Sequence, residues 1–399
     1  METLLQIMAI LFFARIFSEI LERSGLPGLI GEMGAGFLFA LTFKPDDIEI
    51  FTFFAELGAI FLLFTAGYRE VHIKDLKAAS KSALIPTLSQ IIVAFAFGFL
   101  LGDFFGFSFT ESLFLAVAFS PTSISIVVKT LIDNAYLSSK PGSLMLTSAI
   151  FDDIIGIFLL TLLVSVATLN QFPSGIQVLW ILAQMLAFAL IMGLLGWKVY
   201  PFIFKHVQRM HSKESLFSFV ILVALFSAYL SELFGLHAVI GAFFGGVILS
   251  DLPPAKIDAV QKKVSGVAYG IFTPLFFAFI GLSIDTEVLS SAGIFTALVI
   301  ILALCGKLIG GFIGTKLTGF SSEDSLIFGI GMMPRAGIEL VVIAIGKELG
   351  IISNELFASI VLMVVMSIIV SPILLEMSIK YKEKRMSMPE MENIPDKST

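Results

Sequence analysis

Apolar stretches long enough to cross a lipid bilayer recur along the whole of this 399-residue chain. A helix needs about 20 apolar residues to span the hydrocarbon layer. Hydrophobic residues make up 57% of the sequence and charged residues 14%, so a soluble protein of this composition would expose too much apolar surface. Because the loops between the stretches are short, we expect one membrane unit over 1–380 and a polar tail over 381–399.

Breaks at glycine, proline and charged clusters predict an all-α polytopic membrane protein with thirteen transmembrane helices. They are expected near 3–23, 27–43, 48–68, 80–102, 109–131, 141–169, 175–204, 213–234, 236–251, 264–284, 288–316, 324–347 and 353–380. Twenty of the 25 lysine and arginine residues then fall on one side, and only Lys44 and Lys347 fall on the other. Basic loops favour the cytoplasm, so we expect a cell-membrane protein with its amino terminus outside and its carboxyl terminus in the cytoplasm.

Two adjacent aspartates, Asp152 and Asp153, stand near the middle of the sixth predicted helix. An ionisable side chain inside a bilayer is costly unless it is paired or hydrated, so both are functional candidates. Neighbouring residues of a helix point about 100° apart. One aspartate can therefore face a watery cavity while the other turns to a base, and Lys307 in the eleventh predicted helix is the candidate base.

A single lysine neutralises only one of two carboxylates. The second carboxylate then needs a proton or a metal cation, which describes a site where the two compete, and hard oxygen ligands suit sodium. We therefore predict that Asp153 and Asp152 bind the cation and the proton and titrate as a coupled unit. The alternative, for the aspartates and for Lys307, is a buried ion pair that only holds helices together.

Other charged residues in the predicted helices are weaker candidates for a binding site. Arg335 and Glu339, four residues apart in the twelfth predicted helix, either support the site or simply pair with each other. Helix packing or an entrance is the expected role of three further features: Glu32, Glu56 and an Arg15–Glu19 pair.

Two prolines interrupt predicted helices at matching depths, Pro121 in the fifth and Pro334 in the twelfth. Proline removes a backbone donor and clashes with the preceding turn. Helices 1–6 and 8–13 form two sets of six with opposite topology, in which the fifth and twelfth correspond. Paired interruptions in inverted repeats point to a midplane site with crossed discontinuous helices. Arg335 is placed to offset the carbonyl ends of the half-helices; two ordinary proline kinks are the alternative.

Four stretches resemble the cation/proton antiporters, specifically the bacterial and archaeal sodium/proton antiporters of the NapA type. They are Leu26 to Glu32, Phe119 to Ser123, the Asp152–Asp153 pair, and Thr273 to Asp285. The resemblance extends to about residue 380. It implies a secondary antiporter rather than an enzyme, without a cofactor, that exchanges protons for sodium or lithium, with more proton charge than cation charge moved per cycle.

The resemblance also implies an architecture and partners. Dimerisation domains in such proteins correspond to 1–79 and 213–287, an ion-transporting core to 80–169 and 288–380, and a connecting helix to 175–204. The core is expected to move past the dimerisation domain like an elevator. The expected partners are a second copy of the chain and membrane lipid, with no nucleic acid.

Individual roles carry over by position. Asp153 resembles the aspartate that binds the ion and the proton, and Asp152 resembles the aspartate that pairs with the lysine at position 307. Thr122 and Ser123 fall in the crossover beside the site. One departure concerns Glu339: relatives often read Pro-Arg-Gly-Glu, whereas this chain places its acid two residues later, so the family role of that acid does not transfer.

Four alternative functions differ from this one in the sequence features that they require. A potassium/proton antiporter of the same superfamily is the nearest alternative. An organic-anion symporter would favour a cationic pocket without an acidic pair. An intramembrane aspartyl protease would place its aspartates on two helices, and a passive channel would carry a repeated filter segment.

Overall fold

The computed structural model describes residues 2–42, 48–69, 81–133, 136–169, 175–212, 214–250, 252, 258–285 and 293–391, and its regular structure in these ranges is helical. Lys44 and the last eight residues of the predicted tail lie outside them. The first nine helices are α1 (Glu2–Arg23), α2 (Gly28–Thr42), α3 (Ile48–Arg69), α4 (Lys81–Phe104), α5 (Phe109–Ala118), α6 (Ile124–Asp133), α7 (Lys140–Leu169), α8 (Gly175–Leu194) and α9 (Tyr200–Val207). The others are α10 (Ser215–Leu233), α11 (Ala238–Ser250), α12 (Asp258–Val267), α13 (Thr273–Leu282), α14 (Ile294–Leu317), α15 (Ser322–Gly331), α16 (Ile338–Glu348) and α17 (Asn354–Met391).

Each of the predicted membrane segments overlaps with helix in the part of the chain that the structure describes. Among the described residues, nine helical spans are long and apolar enough to cross a membrane, and three shorter apolar helices accompany them. π-Helical stretches at Leu195–Val199 and Ala268–Phe272 join α8 to α9 and α12 to α13. The chain is therefore a multi-pass membrane protein, while the count of thirteen crossings and the inverted relation between the two halves stay predictions.

The two proline-containing segments are broken helices. The predicted fifth helix consists of α5 and α6, separated by non-helical residues 119–123, and the predicted twelfth consists of α15 and α16, separated by 332–337. Pro121 and Pro334 lie inside these gaps, where a missing N–H leaves no helical bond to break. Irregular backbone at membrane depth must be buried in protein or line a cavity.

Extensive helix contacts divide the molecule into two groups. One group packs α1, α2, α3, α10, α11, α12 and α13 together, and the other packs α4, α5, α6, α7, α14, α15, α16 and α17. The more extensive contacts lie within each group, and α8 contacts α11 of the first group. The two groups meet around the cavities described below.

Glycines bring α4 and α14 into close contact. A Cβ atom at Gly306 would lie 2.9 Å from Ala94 Cα, and one at Gly310 would lie 2.6 Å from Gln90 Cα. Small residues in membrane helices permit this approach of one backbone to another. The packing fixes the position of Lys307, which follows Gly306 directly in α14.

The last helix runs past its predicted end at residue 380 to Met391. Two ion pairs hold this extension against the first turn of α15: Lys382 with Asp324 and Arg385 with Glu323. The predicted start of the polar tail at 381 therefore lies inside α17.

Candidate functional site

The two non-helical gaps cross and bond to each other. The Ser123 amide donates to the Pro334 carbonyl at 2.8 Å, and the Thr122 hydroxyl donates to the Met332 carbonyl at 3.0 Å. These bonds satisfy backbone groups that a continuous helix would have paired internally. Four helix ends, those of α5, α6, α15 and α16, consequently meet at one point inside the protein.

Arg335 forms hydrogen bonds to both of the broken helices at this crossing. Its guanidinium donates to the carbonyls of Phe119 at 2.8 Å, Ala303 at 2.9 Å and Met333 at 3.1 Å, and the residue is fully buried. Phe119 and Met333 follow the carboxyl ends of α5 and α15, where helices carry partial negative charge. The Arg335 guanidinium therefore lies against the carbonyl ends of two half-helices, as predicted from the sequence.

Glu339 does not form the ion pair with Arg335 that their spacing allowed. One carboxylate oxygen, Oε2, instead accepts a hydrogen bond from the Gly337 amide at 3.1 Å. A spacing of four residues brings side chains together only along a continuous helix, whereas Arg335 lies in the non-helical gap and Glu339 in the first turn of α16. The simple pairing of these two residues is therefore wrong for this structure.

Asp152 and Lys307 form a fully buried ion pair. Lys307 Nζ lies 2.9 Å from Asp152 Oδ2 and 3.1 Å from Asp152 Oδ1, and neither side chain is exposed. Asp152 belongs to α7 and Lys307 to α14, so the pair links two helices that flank the crossing. Both oxygens of one carboxylate are engaged by one ammonium group.

Asp153 lines a cavity of about 980 Å³ between the two helix groups. The same cavity is lined by Thr122, Ser123 and Glu339, so four of the predicted site residues surround one space. Asp153 is 5% exposed and Thr122 is 3% exposed, so both are reached only through the cavity. Carboxylate and hydroxyl oxygens are ligands that suit a hard cation.

Among the described residues, four acidic and two basic side chains are buried: Glu32, Asp152, Asp153, Glu339, Lys307 and Arg335. Lys307 pairs with Asp152, and the partly exposed Arg15 pairs with Glu32. Burial of charge in a low-dielectric interior is unfavourable unless the charge is paired or hydrated.

The rim of the cavity carries a second group of charges. Arg15 of α1 lies 3.6 Å from Glu32 of α2 and also bonds to the Tyr269 carbonyl, and all three residues line the cavity. The predicted Arg15–Glu19 pair is wrong, because Glu19 pairs with Arg23 at 2.8 Å. The spacing permits either pairing along α1, but the approach of α2 presents Glu32 to Arg15.

A second cavity of about 1130 Å³ opens towards the other end of the same helices. Along α3 it is lined by Glu56, Ala59 and Ile60, whereas Leu62, Leu63 and Ala66 line the first cavity. Asp153 is among the described residues that line the first cavity and not among those that line the second. Access to Asp153 in this structure therefore runs from one side.

Sequence reasoning missed Ser367 of α17. Its hydroxyl oxygen accepts a hydrogen bond from the Arg335 backbone amide at 3.0 Å. This bond connects α17 to the crossing of the two non-helical gaps. A serine inside a long apolar helix was its only signal in the sequence. Three or more His, Cys, Asp or Glu grouped as a metal site are not found in the part of the chain that the structure describes.

Comparison with known proteins gives a consistent result. A family model described as the transmembrane sodium/hydrogen exchanger matches residues 8–379. The chain is similar to a Na(+)/H(+) antiporter of Enterococcus hirae, with 31% identity over 92% of this chain and 95% of the relative. It is also similar to the Na(+)/H(+)-K(+) antiporter GerN of Bacillus cereus, with 30% identity over 96% of this chain and 98% of the relative.

A solved structure shares the fold. The sodium proton antiporter MjNhaP1 from Methanocaldococcus jannaschii at pH 8 superimposes with a TM-score of 0.74, covering 94% of this chain and 97% of the other. The two sequences are 17% identical, so this likeness shows the fold alone.

Proposed function

Since the chain belongs to the sodium/hydrogen exchanger family of the cation/proton antiporters, we propose that it exchanges protons for sodium or lithium across the cell membrane. The observation that carries the proposal is the placement of Asp153 on a cavity, beside a crossing of two broken helices and next to the buried Asp152–Lys307 pair. An ionisable group at membrane depth that water can reach is suited to take up a proton or a cation.

Competition at Asp153 is the proposed chemistry. A proton on its carboxylate removes the charge that holds a cation, and a bound cation displaces the proton. Thr122 and Ser123, on the same cavity, supply hydroxyl oxygens to the cation. Asp152 joins the site when Lys307 releases it, so the ion pair changes partners during the cycle.

Alternating access is proposed to arise from movement between the two helix groups. Their internal packing is extensive, and both cavities lie between them, which supports a core of 80–169 and 288–380 that moves like an elevator. The other group, 1–79 and 213–287, forms the dimerisation domain of a homodimer, and 175–204 connects the two.

The proposed orientation makes the first cavity cytoplasmic. Ser24 after α1 and Glu376 in the last part of α17 both line it, and the lysine and arginine distribution puts these ends in the cytoplasm. The structure then corresponds to the inward-facing state, from which sodium in the cell would bind.

Exchange of more proton charge than cation charge per cycle would make the transport electrogenic. One net charge that crosses the membrane is worth about 2.3 kcal/mol per 100 mV. At ~150 mV the gain is ~3.5 kcal/mol, which corresponds to a few hundred-fold in the cation ratio. This advantage would suit export of sodium.

Transport in liposomes tests the proposal. A proton gradient should drive sodium flux through the wild-type protein and not through Asp153→Ala or Asp153→Asn, because neither variant retains the carboxylate. Equal flux in wild type and both variants would rule out the assignment. Imposed voltage should change the rate if the exchange is electrogenic.

Potassium/proton exchange is the second candidate function. The printed name of GerN includes potassium, and the chain is 30% identical to it. Competition between unlabelled potassium and labelled sodium separates the two candidates. Strong competition by potassium and transport of potassium itself would favour the second.

A further inference from the structure

Glu339 is a buried carboxylate on the same cavity as Asp153. It lies in the first turn of α16, where the polypeptide leaves the crossing, and its side chain is 1% exposed. The cavity is also lined by its neighbours Gly337 and Ile338. This part of α16 therefore forms part of the cavity wall.

Only one of its two carboxylate oxygens has a hydrogen-bond partner. Oε2 accepts from the Gly337 amide at 3.1 Å, while Oε1 is buried without a hydrogen bond. An unsatisfied buried acceptor costs about 1–3 kcal/mol, and more when it is charged. A buried acceptor of this kind requires an explanation, and a bound water or ion is one of them.

A purely structural role explains half of the arrangement. A carboxylate near a helix amino terminus interacts favourably with the free amides and with the helix dipole. The bond from Gly337 to Oε2 satisfies that role completely. This structural role does not explain why Oε1 lacks a hydrogen-bond partner, nor why Glu339 lines the cavity.

The two buried bases are bonded to other groups. The terminal nitrogens of Arg335 donate to three carbonyls, its Nε has no hydrogen-bond partner among the described residues, and Lys307 holds both oxygens of Asp152. Glu339 makes no ion pair within the part of the chain that the structure describes. Its charge is therefore available to a mobile cation.

We propose that Glu339 Oε1 is a further ligand for the transported cation, so that Glu339 helps to set cation affinity and selectivity at the cavity. The inference rests on the proposed function and extends it to a residue outside the aspartate pair. It does not carry over a family role, because the acid of the resembled motif would stand at position 337 in the non-helical gap, whereas Glu339 lies in the first turn of α16. In this chain position 337 is glycine.

The test compares variants in proteoliposomes under a proton gradient. Glu339→Gln keeps an oxygen for the Gly337 amide and removes the charge. We expect the KM for sodium to rise about tenfold, equivalent to about 1.4 kcal/mol, while kcat changes much less. Glu376→Gln removes a charge from the rim of the same cavity, where the side chain is 49% exposed, and should leave the KM near the wild-type value.

Cation selectivity distinguishes the proposed ligand role of Glu339 from a purely structural role, which would not affect it. The ratio of the KM values for lithium, sodium and potassium should change in Glu339→Gln, and Glu339→Asp should recover part of the sodium affinity because it restores the charge. If Glu339→Gln does not fold, Glu339→Asp alone must still change these ratios, since its carboxylate is withdrawn by one methylene.

Two results would overturn the inference. One is unchanged KM values and cation ratios in folded Glu339→Gln, and the other is unchanged ratios in Glu339→Asp where Glu339→Gln is unfolded. Asp153→Asn separates this failure from failure of the proposed function. If Asp153→Asn abolishes exchange while the Glu339 variants match wild type, only the role of Glu339 is lost.

Discussion

Lys307 Nζ lies 2.9 Å from Asp152 Oδ2, and both side chains are sealed from solvent. Removal of one partner from a buried ion pair leaves an uncompensated charge and typically costs about 3–5 kcal/mol. We therefore expect Lys307→Met and Asp152→Asn each to lower the melting temperature strongly in detergent. The double variant should be more stable than the sum of the two losses implies, because neither charge is then left alone.

A double-mutant cycle measures this coupling. Partners in direct contact show interaction energies of about 0.5–3 kcal/mol, whereas independent sites add within about 0.5 kcal/mol. Additive losses would mean that the two side chains contribute to stability independently and that their contact adds nothing. Glu376→Gln with Lys380→Met serves as the exposed control pair, for which the coupling should be small.

Arg335 should not be replaceable by lysine. Its planar guanidinium reaches the carbonyls of Phe119, Ala303 and Met333 at once, and a lysine ammonium on a flexible chain cannot reproduce this fork. Arg335→Lys should reduce the exchange rate at least about tenfold, equivalent to about 1.4 kcal/mol. Arg23→Lys, at an exposed ion pair on α1, should match wild type. Wild-type exchange rates in Arg335→Lys would show that exchange does not depend on the three hydrogen bonds of the guanidinium.

Local chemistry made the helix breaks and the main ion pair predictable from sequence. Proline acts on its own turn, so Pro121 and Pro334 predict interruptions wherever the surrounding chain goes. A pairing of Lys307 with one of the two aspartates is predictable for another reason: the membrane interior offers few charges, and each must find a partner or water. The choice of Asp152 rather than Asp153 came only from the resemblance to the cation/proton antiporters.

Pairings that depend on tertiary geometry were not predictable. Along α1 the spacing allows Glu19 to pair with Arg15 or with Arg23, and the position of α2 decides between them by presenting Glu32 to Arg15. The Arg335–Glu339 spacing fails because helical periodicity does not hold across an unwound segment. The contact of Ser367 with Arg335 joins α17 to the crossing, and no local pattern encodes it.

Close packing of α4 against α14 should make Gly310 intolerant of a side chain. A Cβ atom there would lie 2.6 Å from Gln90 Cα and 2.8 Å from the Ser89 carbonyl oxygen. Overpacking of this kind typically costs about 1–3 kcal/mol, so Gly310→Ala should lower the melting temperature. Gly193→Ala in α8 is the matched control, since its Cβ would meet nothing within 4 Å and alanine favours helix. Equal melting temperatures of the two variants would contradict the close packing.

Cysteine labelling at two positions of α3 should reveal one-sided access. In a Cys305→Ser background, Ala66→Cys places a thiol on the first cavity and Glu56→Cys places one on the second. A membrane-impermeant maleimide added to intact cells should modify the cysteine at position 56, and the same reagent added to inside-out vesicles should modify the one at position 66. Both sites share a helix and so differ mainly in the cavity that they face. The reverse labelling pattern would invert the proposed orientation, and equal labelling of the two positions from each side would contradict the assignment of the two cavities to opposite sides.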